Sequence, residues 1–335
     1  MRRSPPEFWE RAGPLPTLLA PLGWAYGAVG RLRRAAARPW RAPVPVLCVG
    51  NLVAGGAGKT PVAMDLASRL LNRGARPHLV SRGYTGSLAG PTRVDPARHS
   101  HREVGDEALL LARVAPTWIA RNRAAGAQAA VAAGATVLVL DDGFQNPSLV
   151  QDLKIVVVDG LYGLGNGYVL PAGPLREPAA AGLARADAVV VMGDGDSSFA
   201  RLPAGPPVLR AYLLPAVGTS AFKGAHAVAF AGIGRPRKFF EFLEMLGAIV
   251  VARHAFADHQ PYSSAMLSPI LTEAARVGAQ VLTTEKDWVR VPLELRDRIT
   301  PVPVEVSWDS AREVEGLLQK LLTPQVARGE PTPAQ

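Results

Sequence analysis

The chain has 335 residues, 48% of them hydrophobic and 19% charged, with one cysteine. This composition describes a globular protein with ample core and excludes a disordered one, while the lone Cys48 excludes an intramolecular disulfide and any multi-cysteine zinc site. The formal charge of +9 is uneven: residues 1–42 hold eight arginines against Glu7 and Glu10, so a basic end faces anionic partners, either nucleic acid or lipid head groups.

Between those arginines lies "AGPLPTLLAPLGWAYGAVG", Ala12 to Gly30, a run of 19 residues without charge. As a helix it would just span a bilayer. Pro14, Pro16 and Pro21 are expected to interrupt it, leaving roughly 10–14 good helical residues. Trp9, Trp24, Tyr26 and Trp40 are amphipathic rings of the kind that sit at head-group level. Residues 1–42 therefore read as an interfacial anchor lying on a membrane. A true span and a soluble hairpin packed on the domain are the alternatives. Arginines follow the apolar run and no small-residue cleavage site is evident, which argues against a signal peptide. The uncharged run also argues against nucleic acid as the partner.

From Val44 the pattern alternates. "VPVLCVG" is a short apolar strand, and a helix from Gly58 to Asn72 ends at Arg73-Gly74, a basic last turn followed by a glycine. Strands are expected at 76–83, 117–120, 135–142, 153–159 and 186–192, with helices at 105–113 and 122–133. Fully apolar strands spaced by helices imply a mostly parallel sheet covered on both faces. Residues 43–193 thus form an α/β core. Residues 194–207, rich in Gly, Pro, Ser and Asp, read as a linker. A second alternating set, 208–323, reads as a smaller α/β lobe that includes "PVPVEVSW", and 324–335 as a disordered tail.

The chemistry-bearing stretches sit between these elements. "VAGGAGKT", Val53, Ala54, Gly55, Gly56, Ala57, Gly58, Lys59 and Thr60, occupies a strand-to-helix turn. Backbone N–H groups there bind phosphate oxygens. Lys59 is placed to reach the β- and γ-phosphates, and the Thr60 hydroxyl to ligate Mg²⁺. The strict motif has Gly where this chain has Val53. Asp141 and Asp142 end the best strand, the usual place for a carboxylate serving Mg²⁺. Which of the two approaches the metal is open at this level. Asp106 and Glu107 open a helix, where acids also serve as caps. His259 lies in the loop "FADHQPY". Together Asp106 and His259 suit deprotonation of a hydroxyl across a lobe cleft. Arg82 in "SRGY" and Arg176 in "LPAGPLREP" are candidate contacts to phosphate or sugar. "TTEKD" alone reads as a helix start.

The ordered set "GNLVAGGAGKTP", "SRGY", "VGDEA", "DDGFQN", "DLKIVVVD", "LPAGPLREP", "FADHQPY" and "TTEKDWVR" resembles the tetraacyldisaccharide 4′-kinase family, the lipid A 4′-kinases of Gram-negative bacteria. The motifs run through residues 49–291 in the family's order, and that family's loop also lacks the first glycine. The resemblance implies a P-loop NTPase-like fold, ATP and Mg²⁺ as cofactors, and phosphorylation of the 4′-hydroxyl of an acylated glucosamine disaccharide 1-phosphate. It implies work at the cytoplasmic face of the inner membrane through an N-terminal helix. Neither nucleic acid nor an obligate protein partner is expected. Asp106 then takes the catalytic acid's place, with His259 as its partner. The rival from another class is a membrane-docked P-loop ATPase that switches a protein partner. It needs neither Asp106 nor His259.

Overall fold

The structure, a computed structural model, describes residues 6–11, 13–195, 205–216 and 218–323. In chain order the elements are α1 (Pro14–Ala35), β1 (Val46–Gly50), α2 (Lys59–Asn72), β2 (Pro77–Ser81), β3 (Thr92–Arg93), α3 (His101–Val104), α4 (Asp106–Leu111), β4 (Thr117–Ile119), α5 (Arg123–Ala132), β5 (Val137–Asp141), β6 (Leu153–Asp159), α6 (Ala179–Leu183), β7 (Ala188–Met192) and β8 (Val208–Pro215). Then follow β9 (His226–Ala231), α7 (Pro236–Met245), β10 (Ile249–Ala255), α8 (Ser264–Arg276), β11 (Gln280–Thr284), α9 (Glu285–Trp288), β12 (Thr300–Val302), β13 (Val304–Trp308) and α10 (Ala311–Leu322). Much of the expected linker, residues 196–204, and the expected tail, 324–335, lie outside the described residues.

Among the described residues the strands form a nine-stranded sheet, ordered β13-β8-β7-β6-β1-β5-β2-β4-β3, and a four-stranded one, β10-β9-β11-β12. The large sheet is parallel except at its edges, where β13 runs against β8 and β3 against β4. Alternation along β1 sends Leu47 and Val49 to one face, under α2, and Val46 and Cys48 to the other. Both faces are covered, which is why these strands read as unbroken apolar runs. Helix α2 stops where Gly74, at φ 79°, takes the left-handed turn.

Two expectations change. "PVPVEVSW" and residues 208–215 were expected in the second lobe, yet β8 and β13 pair with each other in the large sheet. The chain leaves the large lobe after β8 and returns at β13. Apolar strands of either sheet look alike in sequence, so only the pairing reveals this. Helix α10 then lays Val314, Leu318 and Leu321 on the core beneath α2. Arg69 and Arg73 of α2 pair with Glu315, and the Trp308 indole donates to Asp65 at 2.8 Å.

The second change is α1, which runs unbroken for 22 residues. Pro14 and Pro16 fall in its first turn, where no backbone partner is lost, and Pro21 removes a single bond. Pro16, Ala20, Gly23 and Gly27 form its buried stripe. A Cβ on Gly23 would lie 2.7 Å from the Val169 carbonyl oxygen, so the close approach needs glycine there. On the other side Leu18, Leu22, Trp24, Val29 and Leu32 are exposed. No described helix is long and apolar enough to cross a membrane.

If α10 completes the large core, Leu318→Ala should destabilise the protein by about 2–5 kcal/mol, the range for emptying a leucine site in a core. Urea unfolding followed by circular dichroism measures this. A loss below about 1 kcal/mol would show that the helix merely rests on the surface.

Candidate active site

The site is built where strands end. Residue Val49 of β1 is in register with Asp141 of β5, so the loop after β1 opens beside the carboxylate that ends β5. Carboxyl ends of parallel strands are where α/β sheets gather ligands. Gly58 caps α2 with φ 83°, a left-handed turn that aims the first N–H groups of the helix into the loop. The Lys59 ammonium folds back to 3.5 Å from the Gly55 carbonyl and 3.9 Å from Asp142. The Thr60 hydroxyl donates to Asp141 Oδ2 at 3.0 Å, out of solvent. Val53 and Ala54 are engaged elsewhere: Val53 bridges to Leu175, and the Ala54 N–H donates to the Pro174 carbonyl at 2.7 Å. Gly55 and Gly56 are open to solvent.

The two neighbouring aspartates differ. Asp141 is 1% exposed, and its Oδ1 is buried without a hydrogen-bond partner. Burial first, then the charge of Glu107, pushes its pKa up to about 7 against the pull of Lys59. Asp142, at φ 56°, turns the other way. It accepts from Arg176 at 2.8 Å. Burial raises the Asp142 pKa, but Lys59 and then Arg176 outweigh it and hold the group below its ordinary range. An orphaned carboxylate oxygen beside a threonine hydroxyl, next to a phosphate-binding loop, fits a Mg²⁺ that arrives with a nucleotide.

The other half of the site joins the two lobes. Asp106, the first residue of α4, is 1% exposed. Its Oδ2 meets His259 Nδ1 at 2.8 Å and lies 3.5 Å from Arg290 Nε. Its Oδ1 accepts the Glu107 N–H at 3.0 Å. Burial raises the Asp106 pKa, yet the His259 hydrogen bond and the charges of Lys286 and Arg290 pull it down to about 2. His259 itself has φ 58°, an unusual backbone for a residue of its bulk. Its N–H donates to Gly232 O at 3.2 Å. Arg290 stabilises that loop from behind, donating to Gln260 O at 3.0 Å and Gly232 O at 2.8 Å. The buried Asp287 carboxylate anchors Arg290 at 2.6 Å, and the Tyr262 hydroxyl donates to it at 2.6 Å. Tyr84 of "SRGY" sets its ring edge-on to His259 at 5.5 Å.

Lys59, Thr60, Asp141, Asp142 and Arg176 gather at one end of the cleft, and Asp106 and His259 form a pair at the lobe boundary. Arg82 is exposed just after β2, where its charge bears on Arg123. Arg123, Lys286 and Arg290 were not singled out. Arg123 is 3% exposed with its Nε unpartnered, and burial lowers its pKa to about 10 despite Asp142 and Asp141. Nothing in its surroundings in sequence, "ARNRAAG", marks it as buried. The other two lie within "TTEKDWVR", where a four-residue helix hides them as ordinary capping chemistry.

A family profile described as Tetraacyldisaccharide-1-P 4′-kinase (LpxK) matches residues 15–323. The chain is 55% identical over 325 residues to a tetraacyldisaccharide 4′-kinase of Rhodospirillum centenum, covering 95% of this chain and 96% of that protein. It is 52% identical over 322 residues to the protein of that name from Rhodospirillum rubrum, covering 95% and 97%. Its fold is similar to a crystal structure of LpxK from Aquifex aeolicus in complex with ATP, with a TM-score of 0.74 and 27% identity over 92% of this chain and 100% of that one.

The Asp141 environment has a measurable signature. Its folded pKa of about 7 lies above the ordinary 3.8, so ionising it costs stability as pH rises through that window. Asp141→Asn keeps an acceptor for Thr60 and removes the charge. The nucleotide-free protein should gain about 1–3 kcal/mol at pH 8 and progressively less towards pH 4. Urea melts at the two ends of that range test it. An equal change at both would mean that Asp141 titrates normally.

Proposed function

We propose how this chain works from one premise: it belongs to the tetraacyldisaccharide 4′-kinase family. It is an ATP-dependent lipid kinase that phosphorylates the 4′-hydroxyl of a tetraacyldisaccharide 1-phosphate in lipid A biosynthesis. The roles of its residues are our reading. The observation that carries them is the 2.8 Å contact between Asp106 and His259, made across the two lobes, on the helix whose Glu107 acts on Asp141 through its charge.

In this reading the loop from Val53 to Thr60 holds the triphosphate through backbone N–H groups, chiefly those of 55–60, since the Ala54 N–H is already engaged. Lys59 follows the β- and γ-phosphates. Thr60 and Asp141 hold Mg²⁺, which when bound neutralises phosphate charge. Asp142 serves from one step away, orienting Lys59 and Arg176. Arg82 and Arg176 meet the anionic acceptor, with Arg123 behind them.

The reaction forms a bond between the 4′-oxygen and the γ-phosphorus and breaks the bond from that phosphorus to the β–γ bridging oxygen. The hydroxyl proton passes to Asp106, whose Oδ2 is held by His259. In the nucleotide-free protein Asp106 sits at about 2 and is weakly basic. A bound triphosphate brings negative charge beside it, which raises a carboxylate's affinity for a proton. Base strength therefore rises when the phosphoryl donor is in place.

The exposed apolar face of α1, opposite its buried stripe, is the surface we assign to the membrane, with Arg31, Arg33 and Arg38 close behind it for anionic head groups. The helix lies on the cytoplasmic face of the inner membrane in this reading. The 4′-hydroxyl of a lipid anchored by acyl chains then meets the cleft at a fixed height.

Three kinds of variant test these roles with labelled ATP and micellar acceptor. Lys59→Ala should abolish nearly all transfer, because its charge serves the moving phosphoryl group. Asp106→Ala and His259→Ala should each lower kcat by roughly 10²-fold, and the double variant should be little worse than the more impaired single one. Multiplicative losses, or a raised ATP KM with kcat intact, would remove the pair from the chemistry. Leu18→Glu combined with Leu22→Glu should weaken co-sedimentation with anionic vesicles at least about tenfold, since each buried leucine contributes about 1.5–3 kcal/mol. If that protein still pellets, another surface docks.

A further inference from the structure

Lys286 has no part in the scheme above, yet its ammonium lies at the centre of the lobe boundary. It is 3.4 Å from His259 Nε2, 3.3 Å from Glu107 Oε1 and 3.6 Å from Asp258 Oδ1. No one of these is a tight hydrogen bond, so the cation is shared among three groups from both lobes. Its backbone is fixed. Thr284 caps α9 and exchanges hydrogen bonds with Asp287, and the Lys286 carbonyl accepts from Arg290 at 3.2 Å.

The imidazole of His259 faces a carboxylate at each nitrogen. Asp106 stands at Nδ1. Asp258 Oδ1 stands 3.7 Å from Nε2, and that oxygen is buried with no hydrogen-bond partner. Each of those carboxylates can only accept, so each invites an N–H from the ring. An ammonium has only donors. Placed against Nε2, it requires a lone pair there and leaves the ring's one proton on Nδ1, directed at Asp106. It also supplies the charge that Asp258 and Glu107 lack. Arg290 sits behind Asp106, and the Tyr84 ring closes the remaining side at 5.5 Å. Burial lowers the Lys286 pKa, but Glu107, Asp106 and Asp258 outweigh it and raise it, so the cation persists at neutral pH.

We propose that Lys286 is a positioning residue that holds His259 as the neutral Nδ1–H tautomer, so that the ring donates to Asp106 rather than forming an ion pair with it. This rests on the reading of Asp106 and His259 as the proton-accepting pair. A neutral donor steadies the carboxylate while leaving it able to take the hydroxyl proton. A full imidazolium would hold it as the anion. Lys286 itself neither gains nor loses a proton in the reaction.

The test is Lys286→Met in the full chain, compared with Lys286→Arg and His259→Ala. Side-chain ¹⁵N spectra assign His259 among the six histidines by its absence in His259→Ala. At pH 7.5 the wild type should show Nδ1 protonated and Nε2 bare. Lys286→Met should show Nε2 protonated, with kcat lowered about 10- to 100-fold and the ATP KM within about twofold. Lys286→Arg, which keeps a donor-only cation, should restore both the wild-type ring signature and at least about a third of kcat. Where Lys286→Met does not fold, Lys286→Gln, judged by its melt, takes its place. An unchanged ring signature, or kcat within about threefold of wild type, overturns the proposal. An impaired His259→Ala beside an unimpaired Lys286→Met sinks only the role of Lys286. An unimpaired His259→Ala sinks the reading of the pair, and this proposal with it.

Discussion

A buried carboxylate has to be answered by positive charge or by hydrogen bonds, because water no longer serves it. Asp106 is answered almost wholly from the other lobe. His259, Lys286 and Arg290 all belong to the four-stranded unit, while Asp106 opens a helix of the nine-stranded one. Remove that unit and Asp106 is stranded without compensation. The geometry of the cleft follows from this single requirement. The left-handed backbone at His259 and the buried Asp287–Arg290 pair both bring compensating groups to one oxygen.

A second chain of polar contacts runs from the membrane-facing helix to the phosphate loop. Arg34 of α1 pairs with Glu177 at 3.2 Å. Glu177 is 1% exposed and also holds Arg185 through two bonds of 2.9 Å and accepts from Gln145 at 3.2 Å. Gln145 and Arg176 then lead to Asp142 and Lys59. Every member but the Gln145 amide is a partly or fully buried charge, where attraction is screened less than at a surface. The anchor is thus part of the site's electrostatic frame.

Much of this was legible in sequence because it is local. Strand, glycine turn, Lys59-Thr60 and helix follow one another, and so does the Asp141-Asp142 strand end. Apolar periodicity needs no distant partner either. What failed to show was non-local. Nothing in "PVPVEVSW" distinguishes a strand of one sheet from a strand of the other, since both are apolar on their inner faces. The prolines before Gly23 looked like breaks because their cost depends on position in the turn, and two of them fell where a helix has no bond to lose. Arg123 and Arg290 carry charge, which in sequence reads as surface. Only the facing carboxylates explain their burial. Of the two adjacent aspartates, the backbone angle at Asp142 separates their tasks, and no residue pattern encodes that angle.

The return of the chain to the large lobe bears on how the protein is made. Residues 219–303 are complete before β13 and α10 emerge, so the smaller unit lies between two parts of one core. Until β13 and α10 arrive, α2 lacks the Trp308 donor to its Asp65 and the Glu315 partner of its Arg69 and Arg73. Domains form during synthesis from the N-terminal side. Here the phosphate-binding helix is among the first elements translated and among the last to be fully packed. The helix that follows the nucleotide loop thus receives its last partners after the lobe that supplies His259 has been made.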